Sequence, residues 1–136
     1  MTTNIKEIRA KKITVDHTLA VTSGITGNVT GALIAPVAAA PADAGIALTM
    51  GFVFITKSTA AALTLAAPAV ADNGKQLSII STTAAAHTVT QASAGFNGAG
   101  ASGDVATFGA AIGNSITLVA YDQKWWVINL TGVTLG

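Results

Sequence analysis

The chain has 136 residues, of which 51% are apolar and only 10% charged, and its net charge is +1. This length fits one domain with a modest core, and the near-neutral charge excludes a chain that grips nucleic acid through its bulk electrostatics. Cysteine is absent, which excludes disulfide frameworks, thiolate nucleophiles and cysteine-ligated zinc.

Residues 1–12 read as an extended basic arm. Lys6, Arg9, Lys11 and Lys12 lie there, opposed only by Glu7. The pair Ile5 and Ile8 has helical spacing, but too little of it to nucleate a helix. No apolar run follows these charges directly, so the stretch does not read as a signal peptide. A single β-rich domain is expected over residues 13–136. Ile13-Thr-Val15 and Leu19-Ala-Val21 alternate at period two, and Gly24, Gly27 and Gly31 then break the run. Residues 32–44 are rich in alanine, but Pro36 and Pro41 oppose a continuous helix, so they read as an extended linker.

Strands are expected at 46–56, 62–65, 76–82, 87–91, 105–108, 115–121 and 124–130. Asp72-Asn73-Gly74 and the Gly-rich run after Phe96-Asn97-Gly98 supply turns between them. The most apolar stretch, Gly45–Ile55, has eleven residues. A membrane helix needs about 20, so it reads as buried strand and no membrane partner is expected. Many short strands with turns every 8–12 residues or so predict an all-β fold. The expected form is an antiparallel β-sandwich, jelly-roll-like or a related barrel, behind the N-terminal arm.

The last hairpin can be read face by face. With Asp122-Gln123 as the turn, Ala120 faces Trp125 and Leu118 faces Val127 on one side. Val119 faces Trp126 and Thr117 faces Ile128 on the other. Neighbours in a strand point to opposite faces, so Trp125 and Trp126 cannot share one. Both faces therefore carry large apolar groups, whereas a sheet with one wet face alternates apolar and polar. One face should line the core, and the other should meet a second sheet, a neighbouring subunit or a partner. Asp-Gln is not a preferred two-residue turn, so a longer loop with other pairs is the alternative.

The run Ala62-Leu-Thr-Leu-Ala-Ala-Pro68, Asn73-Gly-Lys-Gln-Leu-Ser-Ile-Ile80, His87-Thr-Val-Thr90, Ser115-Ile-Thr-Leu-Val119 and Trp125-Trp-Val-Ile128 resembles a recurrent β-module of bacteriophage structural proteins. Such modules occur in head decoration (cement) proteins and in head or tail fibre proteins, commonly as trimers. The resemblance covers residues 55–130, and the first part of the chain carries none of it. It implies a virion protein, made in the host cytoplasm and placed on the outer capsid surface. It also implies a homotrimer that binds the major capsid protein and stabilises the head.

The residues carry little catalytic chemistry. Gly98-Ala-Gly100-Ala-Ser-Gly103 fits a dinucleotide-loop spacing, but Asp104-Val-Ala-Thr-Phe108 after it reads as strand, where that motif needs a helix. His17 and His87 are the only histidines, too few for an ordinary zinc site without cysteine. No Gly-x-Ser-x-Gly elbow is present, and Asp43, Asp72, Asp104 and Asp122 all sit beside turn or loop signals. No enzyme, cofactor, metal or specific nucleic acid is expected. The candidate partner-binding residues are Lys6, Arg9, Lys11, Lys12, Trp125 and Trp126. A receptor- or glycan-binding fibre module, using the tryptophans and loop 95–103, is the alternative function.

Overall fold

A computed structural model describes residues 35–136. The arm and the strands expected at 13–15 and 19–21 lie outside the described residues. Among the described residues there are ten strands: β1 (Val37–Ala40), β2 (Gly45–Ile46), β3 (Gly51–Ile55), β4 (Ala62–Leu65), β5 (Gln76–Ser81), β6 (Thr88–Thr90), β7 (Val105–Phe108), β8 (Ser115–Tyr121), β9 (Lys124–Thr131) and β10 (Val133–Leu135). They form two five-stranded sheets. The first has the order β1-β3-β5-β8-β9 and the second β2-β4-β6-β7-β10.

The all-β expectation holds, but the antiparallel one does not. β1, β3 and β5 run parallel, as do β2, β4 and β6. The chain alternates between the sheets through these six strands, one strand per sheet in each coil. Each return therefore enters in the same direction, as in a short solenoid. β7 to β10 then complete both sheets with antiparallel pairs. The sheets are mixed and not closed on themselves, so neither an antiparallel jelly roll nor a barrel describes them.

Three local expectations also change. The apolar stretch expected as one strand over 46–56 is two, β2 and β3, which lie in different sheets. The expected linker at 32–44 contributes β1, whose alanines pair with Val53, Phe54 and Ile55. β10 was not expected. It follows a corner at Gly132, where the chain leaves the first sheet for the second.

Alternate residues of both sheets meet in one core. Val53, Ile55, Leu77, Ile79, Ile116, Leu118 and Trp125 enter it from the first sheet. Leu63, Leu65, Val89, Phe108 and Val133 enter it from the second. Period-two patterning is the cause, since alternate residues are buried along β3, β4 and β8, which puts one side of each strand in the core.

The start of β3 depends on a glycine. Gly51 has φ +101°, and a Cβ there would lie 2.1 Å from the Pro36 carbonyl oxygen. That oxygen accepts the Phe52 N–H at 2.9 Å and so begins the β1–β3 pairing. Gly51→Ala is expected to cost at least about 2 kcal/mol, from left-handed strain plus a backbone clash that no side-chain rotation relieves. The urea unfolding midpoint measures it, and an unchanged midpoint would contradict this account of the β1 edge.

Candidate docking surface

The hairpin β8–β9 resolves the two tryptophans. Its turn is Asp122-Gln123, with φ +49° and +57°. Both values are positive, as a type I′ turn requires; Asp122 suits the first position, but Gln123 stands where glycine is usual. A tertiary contact helps hold the turn: the Asp122 N–H donates to Asn73 Oδ1 at 3.0 Å. The register pairs Ala120 with Trp125, Val119 with Trp126 and Leu118 with Val127, as the sequence suggests. The fourth pair differs. A bulge between Thr117 and Leu118 sets Thr117 against Asn129, not Ile128, and the extra residue leaves Ile128 exposed.

Trp125 is 1% exposed, and its indole N–H donates to the Ala66 carbonyl at 2.9 Å. It is a core residue with its one polar atom satisfied. Trp126 points the other way, 39% exposed, with its N–H on the Tyr121 carbonyl at 3.1 Å. Of the two tryptophans singled out by sequence, only Trp126 is thus available to a partner. Lys6, Arg9, Lys11 and Lys12 lie outside the described residues.

Trp126 belongs to a larger surface that single-residue reading did not assemble. On the outer face of the first sheet, Val37 is level with Phe52, Ala39 with Phe54, Phe54 with Ile80, and Val119 with Trp126. Phe52 is 41% exposed, and Val37 and Tyr121 are more open still. The result is two apolar ridges, one on β1–β3 and one on β8–β9. Between them, on β5 and β8, the Ser78 and Thr117 hydroxyls meet at 3.2 Å. The outer face of the second sheet differs in kind. It presents Thr64, Thr88, Thr90, Thr107 and Thr134, with Thr64 level with Thr90 and Thr107 level with both Thr88 and Thr134. A threonine face suits water, while a face edged with Phe, Val, Tyr and Trp leaves apolar surface for another molecule to cover.

Charge does not oppose such a contact. Each lysine among the described residues pairs with an aspartate: Lys57 with Asp43 at 2.8 Å, Lys75 with Asp72 at 2.6 Å and Lys124 with Asp122 at 3.2 Å. Hydrogen bonding to Lys75, then to the Ala69 N–H, holds the Asp72 carboxyl below its usual range.

Loop 95–103, the other candidate for ligand contact, has a structural task. Phe96 is fully buried. Asn97 follows at φ +57° and caps the edge of β9: its N–H donates to the Trp125 carbonyl at 2.9 Å, and its Oδ1 accepts the Val127 N–H at 2.8 Å. The loop thereby shields part of an edge strand that would otherwise offer free pairing groups. The Gly98–Gly103 spacing ends in a four-residue 3₁₀ turn, Gly100–Gly103, and is followed by β7. That arrangement lacks the helix N-terminus on which pyrophosphate binding depends. Compared with known proteins, the chain matches no protein-family model and no curated protein.

Proposed function

We propose that this chain is a non-enzymatic structural module that works by assembly, with the outer face of its first sheet covered by another protein chain. The observation that carries the reading is the pair of exposed apolar ridges on that face, set against the threonine-rich outer face of the second sheet. In the finer form, which follows the resemblance to phage decoration proteins, a homotrimer docks on the major capsid protein at the outer surface of the virion. Its effect is mechanical. A protein that binds the assembled shell and not the loose subunits raises the free energy of taking the shell apart.

The dimensions suit multivalent binding. Strands about 4.8 Å apart, with about five residues each at about 3.4 Å, make a face of roughly 400 Å². Covering one such face on each partner buries about 800 Å², below the usual range for a stable pair. Three linked contacts convert individually weak docking into tight overall binding. The basic residues Lys6, Arg9, Lys11 and Lys12 are proposed as a second, electrostatic contact with acidic patches of the capsid.

Exposed Tyr121 and Trp126 favour one alternative, a fibre module that stacks a sugar ring of a receptor glycan. Light scattering of the purified protein, with and without empty capsids, tests the main reading. A trimer that co-sediments with capsids is expected, and deletion of residues 1–12 should weaken co-sedimentation while leaving the trimer intact. A monomer that ignores capsids and binds a glycan array would transfer the function to the alternative.

A further inference from the structure

We propose that His87 is an acid-sensitive latch, whose protonation releases the connection between β3 and β4 and loosens one end of the sandwich.

The parallel strands place three connections at the same end of the sheets: residues 41–44 between β1 and β2, 56–61 between β3 and β4, and 82–87 between β5 and β6. Polar contacts stitch them together in order. Asp43 Oδ1 takes both the Lys57 ammonium and the Ala62 N–H, each at 2.8 Å. The Thr82 hydroxyl donates to the Ile55 carbonyl at 2.8 Å, and the Thr83 hydroxyl donates to the Lys57 carbonyl at 2.7 Å. His87, fully buried, joins the second connection to the third.

The hydrogen bonds around His87 dictate its protonation state. Nδ1 receives the Ala61 backbone N–H at 3.1 Å, so it must carry a lone pair. Nε2 lies 2.9 Å from Thr83 Oγ1, whose own hydrogen is committed to the Lys57 carbonyl. Nε2 therefore carries the hydrogen and donates it to Thr83. The ring is neutral, in the Nε2–H tautomer, with both nitrogens used. A second proton could only go on Nδ1, where it would face the Ala61 N–H. Two donors would then oppose each other in a buried site, and the latch would have to open.

Burial first, and then the nearby positive charge of Lys57, hold the folded imidazole below its ordinary value of 6.5. Lys57 is the charged group facing the ring, and Asp43 is paired with it from the neighbouring connection. The unfolded chain therefore takes up the proton first. Stability is complete above the ordinary value and declines as pH falls below it, until the folded value is reached. Asp43 is held below its ordinary 3.8 by its bond to Lys57 and then by the Ala62 N–H. Its own contribution is thus lost only at more acidic pH, so among the described residues changes between about pH 6.5 and 5 belong to His87. Beside the first connection lies a small apolar hollow bordered by Ala40, Pro41, Ala44, Leu48 and Val53. Loosening this end exposes its lining.

An NMR titration of the whole chain from pH 8 to 4.5 tests the latch. Three results are expected together: nitrogen shifts of the Nε2–H tautomer at neutral pH, an imidazole midpoint below the free value, and a shift of the Ala61 amide at that same midpoint. As pH falls below 6.5 the unfolding constant of the wild-type protein should rise, by at most about tenfold per pH unit, until the folded midpoint is reached, and that of His87→Gln should lack this rise. Should His87→Gln fail to fold, the wild-type titration decides alone. An Nδ1–H tautomer at neutral pH, or an imidazole that titrates while the Ala61 amide stays still, would overturn the proposal.

Discussion

Trp125→Ala is expected to destabilise the protein by about 3–5 kcal/mol, the range for removing a large aromatic from a packed core. Trp126→Ala, one residue away, should cost about 1 kcal/mol or less. The contrast follows from strand geometry. Trp125 lies on the inner face with Leu118 and Val127 beside it, and its N–H is bonded to Ala66 across a sequence separation of 59. Truncation removes the ring, leaves a cavity and orphans the Ala66 carbonyl. Total stability of a domain is about 5–15 kcal/mol, so Trp125→Ala removes a large share of it. Chemical denaturation followed by far-ultraviolet circular dichroism measures both variants. Tryptophan fluorescence adds a control, because the Trp126→Ala protein retains only the buried indole and should emit at shorter wavelength. Equal losses for both variants would mean that the outer face is itself packed in the folded monomer.

Charging the outer face should abolish association and spare the fold. In the double variant Phe52→Lys with Trp126→Lys, one substitution falls on each apolar ridge. Both side chains are partly exposed, and long lysine stems can lie along the sheet with their charges in water. Thermal stability should therefore stay within about 1 kcal/mol of wild type. Burying two unpaired ammonium groups in a contact is far more costly than leaving them wet. Loss of one apolar anchor from each ridge should weaken self-association or capsid docking at least about a hundredfold. Light scattering and co-sedimentation read this out, with Thr64→Lys on the opposite face as the control that should change neither. If the double variant still assembles normally, the docking face lies elsewhere.

Much of the fold was legible in the sequence because period-two alternation is a local signal. β4, β7 and β8 fall where Ala62–Leu65, Val105–Phe108 and Ser115–Tyr121 alternate. The opposed tryptophans follow from the same rule, with no tertiary information needed. β1 was hidden because Val37-Ala-Ala-Ala40 has weak strand propensity. It becomes a strand through pairing with β3, at a register set where Gly51 lets the Pro36 carbonyl come close. The Asp122-Gln123 turn was likewise improbable locally, and a contact with Asn73 helps hold it.

The sequence by itself determined that this is a β-protein with large apolar groups on both faces of its last hairpin. The tertiary structure decided strand direction and the grouping of residues into surfaces. Alternation records which side of a strand is buried, but it is the same whichever way the strand runs, so a parallel coil and an antiparallel meander read alike. The outer face gathers Val37, Phe52, Ile80, Val119 and Trp126 from five strands across ninety residues of chain. Its members become neighbours only through inter-strand register, a long-range property that no local pattern encodes.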